Sequence, residues 1–246
     1  MTNSGSYSAS RDKSVIRNQV WNYLEERNIA RFPRPVFHRI PNFVGADEAG
    51  RRVAGLKEFQ DAVTVKVNPD YPQRQARLEA LSHEKILMMP TPRLRSGFVL
   101  LDEKVPRDRL RLASTIHGAF TLGRKVSLDQ LPVIDLAVVG SVAVAPNGGR
   151  IGKGEGYSEM EYAILRELGL VSESTPVITT VHDSQIVDFV PLEDHDLAVD
   201  YIVTPNRVLA TKRTSRRLGG IIWSKVTQRM IEGMPVLKEL RERRAC

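Results

Sequence analysis

The chain has 246 residues, 41% hydrophobic and 26% charged, an ordinary balance for a soluble globular protein and a length that fits one α/β domain better than two. No apolar run approaches the roughly 18 residues a membrane span needs, residues 2–10 lack the apolar core of a signal peptide, and the one cysteine, Cys246, excludes an internal disulfide framework and makes a reducing cytoplasm the simplest compartment. A formal net charge of +7 suits a polyanionic partner; the densest basic runs, residues 212–217 and 241–244, have no interleaved aromatics for stacking on single-stranded nucleic acid, so RNA ranks below a small polyanion.

Residues 1–10 read as a disordered tail, and residues 11–246 as one α/β domain. From 11 to 27, Val15, Ile16, Val20, Tyr23 and Leu24 recur at helical spacing, which puts Lys13 and Arg17 four apart on one helical face. Prolines at 33 and 35 stop the helix, residues 36–40 read as a short extended segment, and 46–56 as a helix. Strands are predicted at 62–67, 86–89, 98–101, 133–145, 177–181, 201–204 and 208–210, with helices at 73–82, 107–112 and 157–168 between them. Strands alternating with helices imply a mostly parallel sheet covered on both faces, a three-layer α/β fold. Residues 223–231 and 236–241 make a C-terminal helical section broken near Pro235.

The richest segment is 148–157, Gly-Gly-Arg-Ile-Gly-Lys-Gly-Glu-Gly-Tyr. It follows the apolar run 133–145 and precedes a helix. Gly152, Gly154 and Gly156 let successive N–H groups turn toward one point, Arg150 and Lys153 add full positive charge, and the next helix offers its N-terminus, so the segment reads as a phosphate-binding loop. Neither common phosphate motif is present: Asn147 and Gly154 stand where a Walker A loop needs Gly and Ser or Thr, and the third glycine comes one residue early for G-x-G-x-x-G.

Five scattered histidines with no H-E-x-x-H make a zinc site improbable, and no G-x-S-x-G elbow supports a serine hydrolase. The turn Asp194-His195-Asp196 leads toward an apolar stretch; carboxylates near a phosphate loop are what Mg²⁺ requires, and a polar turn is the plainer alternative. Arg74, Arg77, Arg93 and Arg95 follow two strands on proline-punctuated loops. Two readings stand open for them, a grip on a carboxylate-bearing substrate or pairing with internal acids.

Three separated segments resemble the 5-formyltetrahydrofolate cyclo-ligase (methenyltetrahydrofolate synthetase) family. Lys13-Ser-Val-Ile-Arg17 matches its basic K-x-x-x-R helix, residues 150–160 match its loop R-x-G-x-G-x-G-Y-Y-D-R, and residues 195–204 match its acidic turn leading into a strand. Ser158, Glu159 and Met160 depart from the loop's second tyrosine, aspartate and basic residue, and Glu155 puts an anion inside it. The pattern resembles a divergent branch that includes the methenyltetrahydrofolate synthetase domain-containing proteins, some of which add an RNA-recognition module that no RNP-like segment provides here.

The resemblance implies a NagB/RpiA/CoA-transferase-like fold and an ATP- and Mg²⁺-dependent ligase converting 5-formyltetrahydrofolate to 5,10-methenyltetrahydrofolate, or the same phosphoryl activation of a related substrate. It further implies that Lys13, Arg17, Arg150, Gly152, Lys153, Gly154, Gly156 and Tyr157 hold ATP, that Asp196 and Glu159 bind Mg²⁺, and that Glu48 and Tyr157 contact a folate-like substrate. Arg150, Lys153 and Tyr157 are then the expected catalytic groups. Two alternatives remain beside the enzyme: a nucleotide-binding paralog without turnover, regulatory or linked to thiamin metabolism, and an RNA-associated protein.

Overall fold

The computed structural model describes residues 12–213 and 216–245; the expected tail at 1–10 lies outside them. The chain opens with α1 (Lys13–Glu26), whose N-cap Asp12 accepts from the Ser14 N–H, followed by α2 (Ala46–Val53), α3 (Lys57–Asp61), β1 (Thr64–Val67), α4 (Arg74–Ser82), β2 (Ile86–Pro90) and β3 (Phe98–Leu101). Next come α5 (Leu110–Ala113), α6 (Ile116–Leu122), β4 (Arg124–Val126), β5 (Leu136–Gly140), β6 (Ala143–Val144), β7 (Arg150–Ile151) and α7 (Tyr157–Glu167). Finally, β8 (Val177–Thr180), β9 (Tyr201–Val203), β10 (Val208–Ala210), α8 (Gln228–Gly233) and α9 (Pro235–Ala245) complete the order.

Among the described residues the main sheet has the order β10-β9-β8-β5-β1-β2-β3-β4. From β9 to β2 neighbouring strands run parallel, and the antiparallel pairs lie toward the edges. Alternate residues enter two cores, as the two-residue period of a strand requires. Met88, Phe98, Leu100, Ala137 and Val139 face a layer containing α7, α8 and α9, whereas Leu87, Met89, Val99, Leu101, Leu136 and Val138 face α2 to α6. The sheet is therefore buried on both sides, in the three-layer arrangement expected, and its inner strands are continuously apolar for that reason.

Several boundaries differ from the sequence expectation. The apolar run 133–145 is divided: β5 ends at Gly140, and β6 pairs antiparallel with β7 as a separate hairpin. Close approach selects glycine at the end of β5, because a side chain at Gly140 would lie 2.7 Å from Ile40 and 2.9 Å from the Asp70 carboxylate. The predicted helix 46–56 stops at Val53 as α2, the predicted extended segment 36–40 is not a strand, and α3, β4 and α6 were not anticipated. Arg124 and Lys125 on β4 are exposed, so that edge strand carries no apolar alternation to read.

The chain's progression across the sheet reverses at β1, which pairs with β2 on one side and β5 on the other. In open α/β sheets the crevice beyond the carboxyl ends of two such strands is where ligands bind. The β6–β7 hairpin lies at this end and carries α1, whose Ile16, Val20, Trp21 and Leu24 pack with Val142, Ala143, Ala145 and Ile151. The segment after β1 is pinned by Arg77 of α4, which is buried and donates to the carbonyls of Ser114 at 2.7 Å, Asn68 at 2.5 Å and Asp70 at 3.0 Å. Burial lowers its pKa to about 10. Replacing Arg77 by Met should cost on the order of 3 kcal/mol in urea unfolding, because three carbonyls lose their donor; a loss under about 1 kcal/mol would contradict the pinning role.

Candidate active site

A cleft of about 1140 Å³ opens at the carboxyl ends of β1, β2 and β5. Its lining includes Lys13 and Arg17 of α1, residues 68–71 after β1, residues 91–93 after β2, residues 150–159, and Glu193, His195 and Asp196. The three segments that carry the resemblance, from α1, the glycine loop and the acidic turn, thus meet in one cavity although 183 positions separate Lys13 from Asp196.

Backbone geometry explains the glycines. Gly154 and Gly156 have φ of +99° and +71°, in the region that favours glycine, and an added side chain at Gly154 would sit 3.4 Å from the Arg17 guanidinium carbon. Gly156 is the N-cap of α7 and supplies no side-chain cap, so the first N–H groups of this 11-residue helix lack the usual side-chain acceptor and offer an anion site together with the positive end of the helix dipole.

The cations around this point are fixed in different ways. Arg17 donates from Nε to the Gly152 carbonyl at 2.7 Å, tying α1 to the loop; burial lowers its pKa while Glu159 opposes that shift. Lys153 is half-exposed and pairs with Glu155 at 2.7 Å. Lys13 bonds to Asp196 at 2.6 Å and Glu193 at 3.1 Å, and this contact with Lys13 holds the Glu193 carboxyl below its ordinary range. Asp196 also accepts from the Glu193 N–H at 2.7 Å.

Arg150 differs from the expectation of a ligand-facing cation. Its side chain has no exposed surface and ion-pairs with Glu159; it donates to the Gly140 carbonyl at 2.6 Å and the Leu197 carbonyl at 3.3 Å. The guanidinium thus forms part of the wall and joins the end of β5, the acidic-turn segment and α7. Glu159, expected at a metal, is its partner. Tyr157 opens α7 at the cleft and packs partly against the core.

Glu48 is a correction: it is not brought to the cleft. Ala46, Ala49, Gly50 and Val53 form the buried face of α2, leaving Glu48 on the solvent side, 3.8 Å from Arg51. Of the four arginines with two open readings, Arg93 lines the cleft; Arg77 is the buried pin, and Arg74 reaches the Arg111 carbonyl at 3.5 Å.

Sequence reasoning missed the floor. Lys66 stands between Val65 and Val67 in β1, so the strand period sends it to the opposite face, beneath α7. It is buried and pairs with Glu161 at 2.6 Å, and it also bonds to Asn68, whose amide donates to the Ser158 hydroxyl at 2.8 Å. Burial raises the pKa of Glu161 and Lys66 opposes the rise. Asp70, a further cleft residue, is also shifted up by burial. A lysine in a strand covered on both faces was the readable signal, since such a charge demands a buried partner.

A sequence model of the 5-formyltetrahydrofolate cyclo-ligase family matches residues 9–205. The chain belongs to that family. It is 49% identical over 236 residues to the methenyltetrahydrofolate synthase domain-containing protein of Bos taurus, covering 93% of this chain and 62% of that protein, and 46% identical over 238 residues to the Homo sapiens protein of the same name, covering 94% and 62%. The chain therefore spans less than two thirds of these curated relatives' length. Similarity to the 5-formyltetrahydrofolate cyclo-ligase of Mycolicibacterium smegmatis is 32% over 79 residues, or 32% of this chain and 38% of that one. The solved 5,10-methenyltetrahydrofolate synthetase of Aquifex aeolicus superposes with a TM-score of 0.51 at 20% identity, covering 84% of this chain and 95% of that one, a likeness of fold.

Lys66→Met should cost about 3–5 kcal/mol at neutral pH because it leaves Glu161 buried without its cation. The unpaired Glu161 pKa then rises further, so the variant is relatively most stable below the ordinary carboxyl range and loses stability as pH rises through the raised value. Urea unfolding between pH 5 and 8 checks this, and the double variant Lys66→Met/Glu161→Leu should recover most of the loss. A single variant with a flat pH profile would contradict the pairing.

Proposed function

We propose that this chain closes 5-formyltetrahydrofolate to 5,10-methenyltetrahydrofolate at the expense of ATP. The observation that carries the reading is the α7 N-terminus, which has no side-chain cap, opening into a cleft shared with Lys13, Arg17 and Lys153. That donor set suits a polyphosphate.

A formamide carbonyl is a weak electrophile. In the proposed reaction its oxygen forms a bond to the terminal phosphorus of ATP as the bond to ADP breaks; N10 then attacks the activated carbon and loses its proton, and the C–O bond breaks as phosphate departs with the bonding electron pair. The protein's part is positioning and charge neutralisation. N–H groups at the start of α7 and the Lys153 ammonium would face phosphate oxygens. Arg17, bonded to the loop, would contribute its remaining donors, and Tyr157 would meet the substrate ring.

Magnesium fits this donor set only in company with phosphates. No group of three or more His, Cys, Asp or Glu side chains suited to a metal occurs among the described residues, and Asp196 and Glu159 are each paired with a cation. A metal that keeps several waters and takes one or two carboxylates plus phosphate oxygens matches such a site. Asp196 would hold it, with Glu159 as a second candidate, and Lys13 would be released toward phosphate; the metal would neutralise phosphate charge.

Purified protein with 5-formyltetrahydrofolate, ATP and Mg²⁺ should form methenyltetrahydrofolate and ADP in equal amounts. Lys153→Ala, at a half-exposed position, should keep the fold by circular dichroism and lower kcat/KM by about 2 kcal/mol, roughly 30-fold. ATP binding without product at high enzyme concentration would instead favour the nucleotide-binding paralog.

A further inference from the structure

A second, smaller cavity of about 210 Å³ adjoins the cleft and shares Gly156, Glu159 and His195 with it. One wall is the α7 face carrying Gly156, Met160 and Ala163; the other is Leu218, Gly220, Ile222, Lys225 and Met230. That second wall lies entirely beyond residue 205, where the match to the cyclo-ligase family ends.

We propose that the C-terminal segment builds a nucleobase subsite on this chain, which takes the adenine ring of a nucleotide whose phosphates lie at the α7 N-terminus. The inference rests on the ATP reading above and assigns where the base goes. Several observations converge on this occupant. The cavity is below the roughly 300 Å³ of a pocket for a whole drug-sized ligand, so it suits one compact group. Its lining is mainly apolar, and Met160 and Met230 bring polarizable thioethers that pack well on aromatic faces. Its charged and titratable lining residues are Glu159, His195 and Lys225, with Lys225 Nζ and His195 Nδ1 3.5 Å apart. Above all, the cavity meets the cleft at Gly156, the residue that begins the phosphate-accepting helix, so one molecule can occupy both. Glu167 holds this wall against α7, accepting from the Ile221 N–H at 3.1 Å and the Trp223 indole at 3.2 Å.

Comparing ATP with inorganic tripolyphosphate separates the base from the phosphates. By calorimetry without folate, the chain should bind ATP at least about tenfold more tightly than tripolyphosphate, the worth of burying one apolar ring face. Met230 is only partly buried, so Met230→Trp can fill the cavity; it should bring the two affinities within about threefold while leaving tripolyphosphate binding unchanged, and Met230→Leu should retain the preference. Equal affinities in the unaltered chain, or a preference that survives Met230→Trp, would overturn the subsite while leaving the phosphate site standing. Binding of neither ligand would overturn the ATP reading and the subsite with it. If Met230→Trp fails to fold, Met160→Phe makes the same comparison from the opposite wall, with the same outcomes deciding.

Discussion

The buried guanidinium of Arg150 is the contact on which the site's architecture depends. From one side chain it holds the carbonyl ending β5, a carbonyl of the segment entering β9 and the carboxylate of Glu159 on α7. The planar fork of an arginine can serve these divergent acceptors at once, and a lysine cannot reproduce that geometry. Because the residue is sealed from solvent, its charge must be matched inside the protein, and Glu159 does so. The glycine loop is then hemmed in by two guanidinium groups: Arg17 donates to the Gly152 carbonyl, and Arg150 lies where a side chain at Gly152 would come within 3.4 Å of it.

A second constraint follows from the pairing of charges. Lys13 with Asp196, Lys153 with Glu155 and Lys66 with Glu161 place opposite charges side by side around the cleft. A polyanion entering such a site exchanges partners with carboxylates already present, and the net gain per cation is smaller than for an unpaired one. The uncapped α7 N–H groups involve no such exchange with a side-chain cap. On the proposed reading the helix terminus is therefore the centre of anion recognition and Lys13 and Lys153 are exchangeable contacts, while Arg150 stands as wall and Arg17 as loop tether.

Much of this was legible in the sequence. Alternating strands and helices specified the layered sheet because both patterns are periodic, and the glycine loop was readable because positive φ and close approach select glycine. The segments on which the resemblance rested, with Lys13 and Arg17, the glycine loop and Asp196, line one cleft. What failed was direction. Arg150 looked like a cation for a ligand, yet its place in the β6–β7 hairpin turns it inward to the Gly140 carbonyl and Glu159; Glu48 looked near the site, yet the buried face of α2 rotates it to solvent. The Lys66–Glu161 pair spans β1 and α7, so half of its signal sat 95 positions away. The C-terminal wall escaped notice because its contacts with α7 arise from tertiary packing.

The most direct test of the central claim is a double-mutant cycle on Arg150 and Glu159, using Arg150→Met, Glu159→Gln and the pair, followed by urea unfolding. If Arg150 acts as a buried strut paired with Glu159, each single variant should be destabilised by more than about 2 kcal/mol, and the two losses should be coupled by at least about 1.5 kcal/mol. Losses that add to within about 0.5 kcal/mol, or an Arg150→Met chain as stable as the parent, would contradict it.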